Sequence, residues 1–246
     1  MKESGNTILV TGGGSGIGRE MAREFQQAGN KVIVAGRCHA ALAETIGDRV
    51  GMTAIVLDIA DAEAVSACAE QLAGRFPNLN VVVNNAGIMK PEQPIDVAVA
   101  EATIATNLLG PIRLTGALLP HLLKQEQSAV INVSSALAYV PFVATPTYCA
   151  TKAALHSWTV SLRQQLRGTV VEVIEVIPPA VQTELQPGQS SSPYAQPLDA
   201  YIAETMAQLR QQPTPLEVFG EMAGAMRGVL DERRFAAVFG PMNGGQ

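Results

Sequence analysis

The chain has 246 residues, 47% of them hydrophobic and 16% charged, with a net charge of −5 at neutral pH. That apolar content supplies a sizeable core, and the acidic balance gives no electrostatic reason to expect nucleic acid or an anionic membrane as a partner. The scarcity of charge hints instead at extra surface buried between subunits.

Short apolar runs alternate with helical patterns from the start. Thr7 to Val10 reads as a buried strand that ends in a glycine-rich turn, Thr11 to Gly18. A helix over about Ile17 to Ala28 stops at Gly29-Asn30, and Lys31 to Ala35 is the second strand. A short helix near Ala40 to Ile46 precedes the third strand, Thr53 to Leu57, and Asp61 caps a helix that Pro77 ends. Val81 to Val83 and Ala129 to Val133 are the fourth and fifth strands. Between them a helical stretch runs from about Val97 to Lys124, with a bend expected at Gly110-Pro111, where proline removes a backbone donor and crowds the preceding turn. A helix over Pro146 to Leu166 and a sixth strand at Val170 to Val176 follow. Helices near Leu198 to Gln211 and Pro215 to Leu230 precede a last strand at Phe235 to Phe239.

Strands that read as Val/Ile runs separated by helices indicate a parallel sheet covered on both faces. With right-handed crossovers this is an α/β doubly wound, Rossmann-type fold of about seven strands. No repeat or linker divides the chain, so residues 1–246 are expected to form one domain. Cys38, Cys68 and Cys149 fit neither a disulfide framework nor a zinc site. With no signal segment and no membrane span, a reduced, cytoplasmic protein is the economical expectation.

Two local patterns carry chemistry. The turn Thr11-Gly12-Gly13-Gly14-Ser15-Gly16-Ile17-Gly18 lies between a strand and a helix, where glycines let backbone amides approach a pyrophosphate. It does not meet the general G-x-G-x-x-G spacing. The second strand ends in Ala35-Gly36-Arg37, without the acid that usually holds an NAD ribose. Arg37 suits a 2′-phosphate, which favours NADP(H) and leaves NAD(H) open. The second pattern is Tyr148 and Lys152, one helical turn apart on one face. A free phenol titrates at about 10, and an adjacent cation is expected to lower that value toward acid/base work.

Read in order, these residues resemble the classical short-chain dehydrogenase/reductase family over nearly the whole chain. The resemblance implies that Gly12, Gly14, Ser15, Gly16, Ile17 and Gly18 form the cofactor turn, and that Asp58 and Ile59 contact adenine. Asn85, Ala86 and Gly87, in Asn84-Asn85-Ala86-Gly87, would line the cofactor cleft. Asn107 would anchor a relay water through its backbone, and Ser135, 13 residues before Tyr148, has the family's spacing for its serine. Tyr148 is then the general acid/base, Ser135 orients the carbonyl, and Lys152 tunes Tyr148 and binds the ribose. Pro178, Val181 and Thr183 would meet the nicotinamide. One departure puts Pro179 where the family usually has glycine. This Pro178-Pro179-Ala180-Val181 segment, with Tyr148 to Ala154, is similar to a bacterial subgroup named for a reductase of the lipoteichoic-acid D-alanylation operon, an operon position that does not define a substrate.

The implied reaction is reversible hydride transfer between NADP(H) and a carbonyl or alcohol compound. An NAD-dependent alcohol dehydrogenase and a non-catalytic NADP-sensing regulator are the alternatives. A nucleotide-sugar epimerase would need glycine where Ser15 stands. The histidines His39, His121 and His156 show no ligand spacing, so no metal is expected, and His156 and Cys149 read as packing residues. The tract Gln186 to Pro197 and the helix after it, about 186–212, look like a mobile substrate lid, with Leu137, Tyr139, Pro141 and Phe142 as an apolar wall. Apolar residues nearly encircle the helix containing Leu114 and Leu118, so a homodimer or homotetramer is expected.

Overall fold

The computed structural model describes residues 1–92, 95–228 and 241. Seven strands form one sheet: β1 (Thr7–Thr11), β2 (Lys31–Gly36), β3 (Met52–Val56), β4 (Leu79–Asn84), β5 (Ser128–Val133), β6 (Val171–Val176) and β7 (Glu217–Val218). Their order is β3-β2-β1-β4-β5-β6-β7, and every neighbouring pair is parallel. Side chains alternate between two apolar cores, as the pleat requires. Ile8, Val10, Val32, Val34, Val81 and Val83 face one layer; Leu9, Ile33, Val82 and Val130 face the other.

The first layer packs under α1 (Gly16–Gln27), α2 (His39–Ile46) and, later in the chain, α7 (Leu198–Leu209), through Met21, Phe25, Leu42 and Met206. The second packs under α3 (Ala62–Arg75), α5 (Gly110–Leu122) and α6 (Pro146–Gln165), through Leu72, Leu114, Leu118 and Leu162. Burial on both faces explains why the strands read as continuous apolar runs. Asp61 caps α3 as expected, its Oδ1 accepting from Glu63 and Ala64 N–H at 2.9 and 3.0 Å.

Two segments differ from the sequence reading. The break in the 97–124 helix comes one turn before Pro111: α4 (Val97–Ile104) passes through a wide π turn, Ala105–Leu109, into α5. Proline starts α5 instead of interrupting it, because the wider turn absorbs the bond that Pro111 cannot donate. The expected helix at Pro215–Leu230 begins later, as α8 (Glu221–Arg227), since Glu217–Val218 pairs with β6 as an edge strand. Tertiary pairing overrides helical pattern there. The expected strand at Phe235–Phe239 lies outside the described residues. No helix among the described residues is long and apolar enough to cross a membrane.

Candidate active site

The strand order reverses between β1 and β4, and the cleft in question opens at the carboxyl ends there. Thr11, ending β1, binds these strands together. Its hydroxyl donates to the Val83 carbonyl at 3.2 Å and accepts the Asn85 and Ala86 N–H groups at 3.1 Å. Gly12 has φ +65°, and a Cβ there would sit 2.8 Å from Asn85 Nδ2. A Cβ on Gly18 would run into the Gly12 carbonyl and the same amide. The absence of side chains lets turn, helix and β4 loop close together beside the first-turn amides of α1, which helix geometry leaves without intrahelical partners.

Two adjoining cavities occupy the cleft. The smaller, about 230 Å³, is lined by Gly14, Arg37, Asp58 and Ile59, with Cys38, Ala41 and Thr106 that sequence reasoning missed. The larger, about 350 Å³, is lined by Gly16, Ile17, Gly18, Asn85, Ser135, Tyr148, Lys152, Pro178, Val181 and Thr183. Gly12, Ser15, Ala86 and Gly87 border both. Of the site residues expected from sequence, Asn107 alone does not line the cleft.

Asn107 lies fully buried behind it, in the π turn. Its amide exchanges two hydrogen bonds with Ile88, 2.8 Å from the Ile88 N–H and 2.9 Å to the Ile88 carbonyl, and donates to Thr151 Oγ1 at 3.3 Å. The side chain thereby joins the β4 loop to α6. Pro111, four residues on, has no N–H to offer the Asn107 carbonyl.

Ser135 follows β5 and caps the short turn Ala136–Ala138, accepting the Leu137 N–H at 3.1 Å. Its hydroxyl faces the Tyr148 phenol. Ser134 turns away toward the Val176 carbonyl. Tyr148 and Lys152 share the inner face of α6, with Lys152 Nζ 5.6 Å from the Tyr148 ring centre and donating to the Val133 carbonyl at 2.8 Å. Glu92, another residue without a sequence signal, anchors the start of α6 by accepting Thr147 N–H at 3.1 Å and Thr147 Oγ1 at 2.8 Å. A carboxylate suits a helix N-terminus.

Burial dominates the electrostatics. It pushes the Tyr148 phenol up to about 12, with the Ser135 hydroxyl pulling the other way, where the sequence led us to expect a lowering by the adjacent lysine. Burial also takes Lys152 down to about 8, partly offset by the charge of Glu175. Cys149 is buried and accepts the Phe142 N–H, a packing role as expected. His156 departs from its packing reading: its Nδ1 is 2.8 Å from Glu175 Oε2 and 3.2 Å from the Tyr139 hydroxyl. Of the expected apolar wall, Leu137 and Phe142 pack around Tyr148 with Met89, whereas Tyr139 turns to Ala136, Ile177 and Ala223. A ring with a polar tip follows its hydrogen bond.

The lid tract reaches into the cleft. Gln189, in the turn Gln189–Ser191, donates to the Val181 carbonyl at 2.6 Å and to Thr183 Oγ1 at 3.3 Å. A primary amide thus already rests on the two positions expected to hold the nicotinamide carboxamide. Together with the glycine cradle, this shows that the residues present fit a nicotinamide dinucleotide.

A sequence model of the short chain dehydrogenase family matches residues 6–193. The uncharacterised oxidoreductase DltE of Bacillus subtilis (strain 168) is 44% identical over 189 residues, covering 75% of each chain. The crystal structure of a short-chain dehydrogenase from Streptomyces avermitilis superposes with a TM-score of 0.83 at 28% identity, covering 95% of both chains. The closed form of a serine dehydrogenase complexed with NADP+ superposes with a TM-score of 0.67 at 33% identity, over 72% of this chain and 74% of that one. The chain belongs to the short-chain dehydrogenase family and is an oxidoreductase with that family's NAD(P)-binding Rossmann fold.

Proposed function

We propose that the protein catalyses reversible hydride transfer between NADP(H) and a small carbonyl or alcohol compound. The observation that carries this reading is the convergence of Ser135, Tyr148 and Lys152 in a cavity that adjoins the glycine cradle. The nicotinamide, when bound, supplies or takes the hydride. Gly12 to Gly18 hold the pyrophosphate, Asp58 and Ile59 flank the adenine, and Asn85, Ala86, Gly87, Pro178, Val181 and Thr183 form the remaining walls. Arg37 takes the 2′-phosphate, in keeping with the NADP+ of the serine dehydrogenase neighbour.

Tyr148 gives its proton to the substrate oxygen in reduction, and Ser135 donates to that oxygen and steadies its charge. Lys152 provides the cation beside them. Asn107 presents its backbone carbonyl to a relay water. A phenol raised to about 12 stays protonated at neutrality, ready for the reductive direction; oxidation needs the phenolate, so its rate rises with pH.

The test is Tyr148→Phe. Reductive turnover on an accepted ketone or aldehyde should fall by about 10²-fold or more, as loss of a general acid does. NADPH affinity, read by fluorescence titration, should stay within about five-fold, since the lost hydroxyl is worth about 1 kcal/mol at most to the cofactor. Near-normal turnover in this variant would refute the assignment.

A further inference from the structure

One buried carboxylate that takes no part in the reaction is bonded to the residue just before Tyr148. Glu92 is 7% exposed and makes no ion pair among the described residues. Both of its oxygens go to one neighbour. Oε1 accepts the Thr147 N–H at 3.1 Å, and Oε2 accepts the Thr147 hydroxyl at 2.8 Å. The Glu92 N–H donates to the Ala144 carbonyl at 2.9 Å, so the backbone fixes the same junction. Thr147 is the second residue of α6. First-turn N–H groups have no partner within their own helix. Thr145, at the N-cap position, makes no side-chain cap. The cap comes instead from 55 residues away, on another part of the fold.

Glu92 is also the last anchor of a strap, 85–92, that leaves β4 and crosses the cleft. Asn85 and Ala86 donate to the Thr11 hydroxyl, and Ile88 pairs with Asn107 in the π turn. Met89 then packs on Tyr148 and Cys149 before Glu92 takes hold of Thr147. The strap thus runs from the cofactor turn, over the phenol, to the helix that carries it. The other side chains around the Tyr148 ring, Leu137 and Phe142, are apolar. Apolar contact has no preferred direction, whereas the three bonds at Glu92 do.

The geometry points to Glu92 as a positioning residue that, through Thr147, sets where the Tyr148 phenol lies against Ser135. This rests on the proposed role of Tyr148 as the general acid. Misplacing a reacting group by about 1 Å can cost roughly 10²-fold in rate, so a slack helix start is felt at the phenol. Directed bonds do the positioning, and the charge adds only stability at the helix N-terminus. Glutamine and leucine therefore have different effects at this position. A glutamine amide still accepts the Thr147 N–H and donates to Thr147 Oγ1, whereas leucine fills the space and leaves both Thr147 groups unpaired.

The test reads the phenol directly in the cofactor-free protein, by NMR of ¹³Cζ-labelled tyrosine, with the Tyr148 signal identified by its loss in Tyr148→Phe. Glu92→Leu should displace that signal and leave the signal of Tyr201, in α7, in place. Its turnover of the aldehyde or ketone used for Tyr148→Phe should fall by about ten-fold or more. NADPH affinity should be unchanged, since Glu92 lines neither cavity. Glu92→Gln should melt at a lower temperature yet keep the Tyr148 signal and most of the turnover. Thr147→Val should move the signal in the same direction as Glu92→Leu, and the double variant no further, because both act through one contact. Thr147→Ser, which keeps the hydroxyl, should restore the unaltered signal. A role confined to stability would lower the melting temperature of Glu92→Leu without moving Tyr148, and that result overturns the proposal. So does a loss of turnover in Glu92→Gln as deep as in Glu92→Leu. Full turnover in Tyr148→Phe would overturn the acid assignment instead, and the NMR signal would still decide whether Glu92 places the ring.

Discussion

Arg37 stands at the end of β2, exposed, lining the smaller cavity, and bound in no ion pair among the described residues. The acid in that cavity, Asp58, accepts the Ala60 N–H at 3.0 Å through Oδ1 and lies on the neighbouring β3 loop. A guanidinium at this position suits a phosphate on the ribose, whereas a carboxylate suits bare hydroxyls. Arg37→Asp should therefore weaken NADPH binding at least ten-fold, in line with about 1.5–3 kcal/mol for a charged hydrogen bond, and shift preference toward NADH. Parallel fluorescence titrations with both cofactors decide it, and an unchanged ratio removes Arg37 from the role. The position of Arg37 was legible because a strand end and a missing acid are local features. Glu175 was not: its partner His156 lies on another element, 19 residues away, and only the packing of α6 across β6 brings them together. The same packing explains why the spacing of Tyr148 and Lys152 predicted their proximity yet gave the wrong sign for the phenol. Burial is a tertiary property, and here it sets the direction.

Among the elements, β1, β2, β4, β5 and β6 were legible for a physical reason, since each is buried on both faces and reads as an apolar run. β7 was not, because its two residues fall inside a helical pattern. The π turn at Ala105–Leu109 was not, because Gly110-Pro111 signals a break without fixing on which side it falls. The side is set by contact, since a Cβ on Gly110 would meet Ile59 Cγ1 at 2.7 Å, which holds the start of α5 against the loop after β3. The lid tract had no periodicity to read, and its placement depends on polar contacts. Val181 bridges to Gln196, and the Gln182 and Gln196 N–H groups bond to the Gln196 and Ala180 carbonyls at 2.9 and 2.8 Å. Gln189 adds the contact that matters for binding, because its amide covers the Val181 carbonyl and Thr183 hydroxyl. Cofactor entry must displace it. Gln189→Ala removes hydrogen bonds worth about 1 kcal/mol from the empty state, so NADPH should bind roughly five-fold tighter. Affinity unchanged or weakened in this variant would show that Gln189 does not compete for those groups.

For the whole molecule, the low charge content finds a counterpart in where apolar side chains are left. α5 buries Leu114, Leu118 and Leu122 inward beside α3, so the sheet accounts for only one side of that helix. Ile104 on α4 and Val160 on α6 remain exposed, as do Val97 and Leu109. α6 carries Tyr148 and Lys152 on its inner face, so a partner docked on its outer face would stiffen the helix that positions the site. A subunit contact over the outer faces of α4 to α6, as the sequence leads one to expect, would need about 800 Å² of each partner to be stable. Placing a charge in such an interface leaves it desolvated without a partner. Ile104→Glu combined with Val160→Glu should therefore convert a dimer or tetramer into a smaller species in sedimentation velocity. NADPH binding should persist, since neither residue lines the cleft. A monomer for the unaltered chain at micromolar concentration would assign those exposed side chains to solvent and leave α6 held by Glu92, Asn107 and the sheet alone.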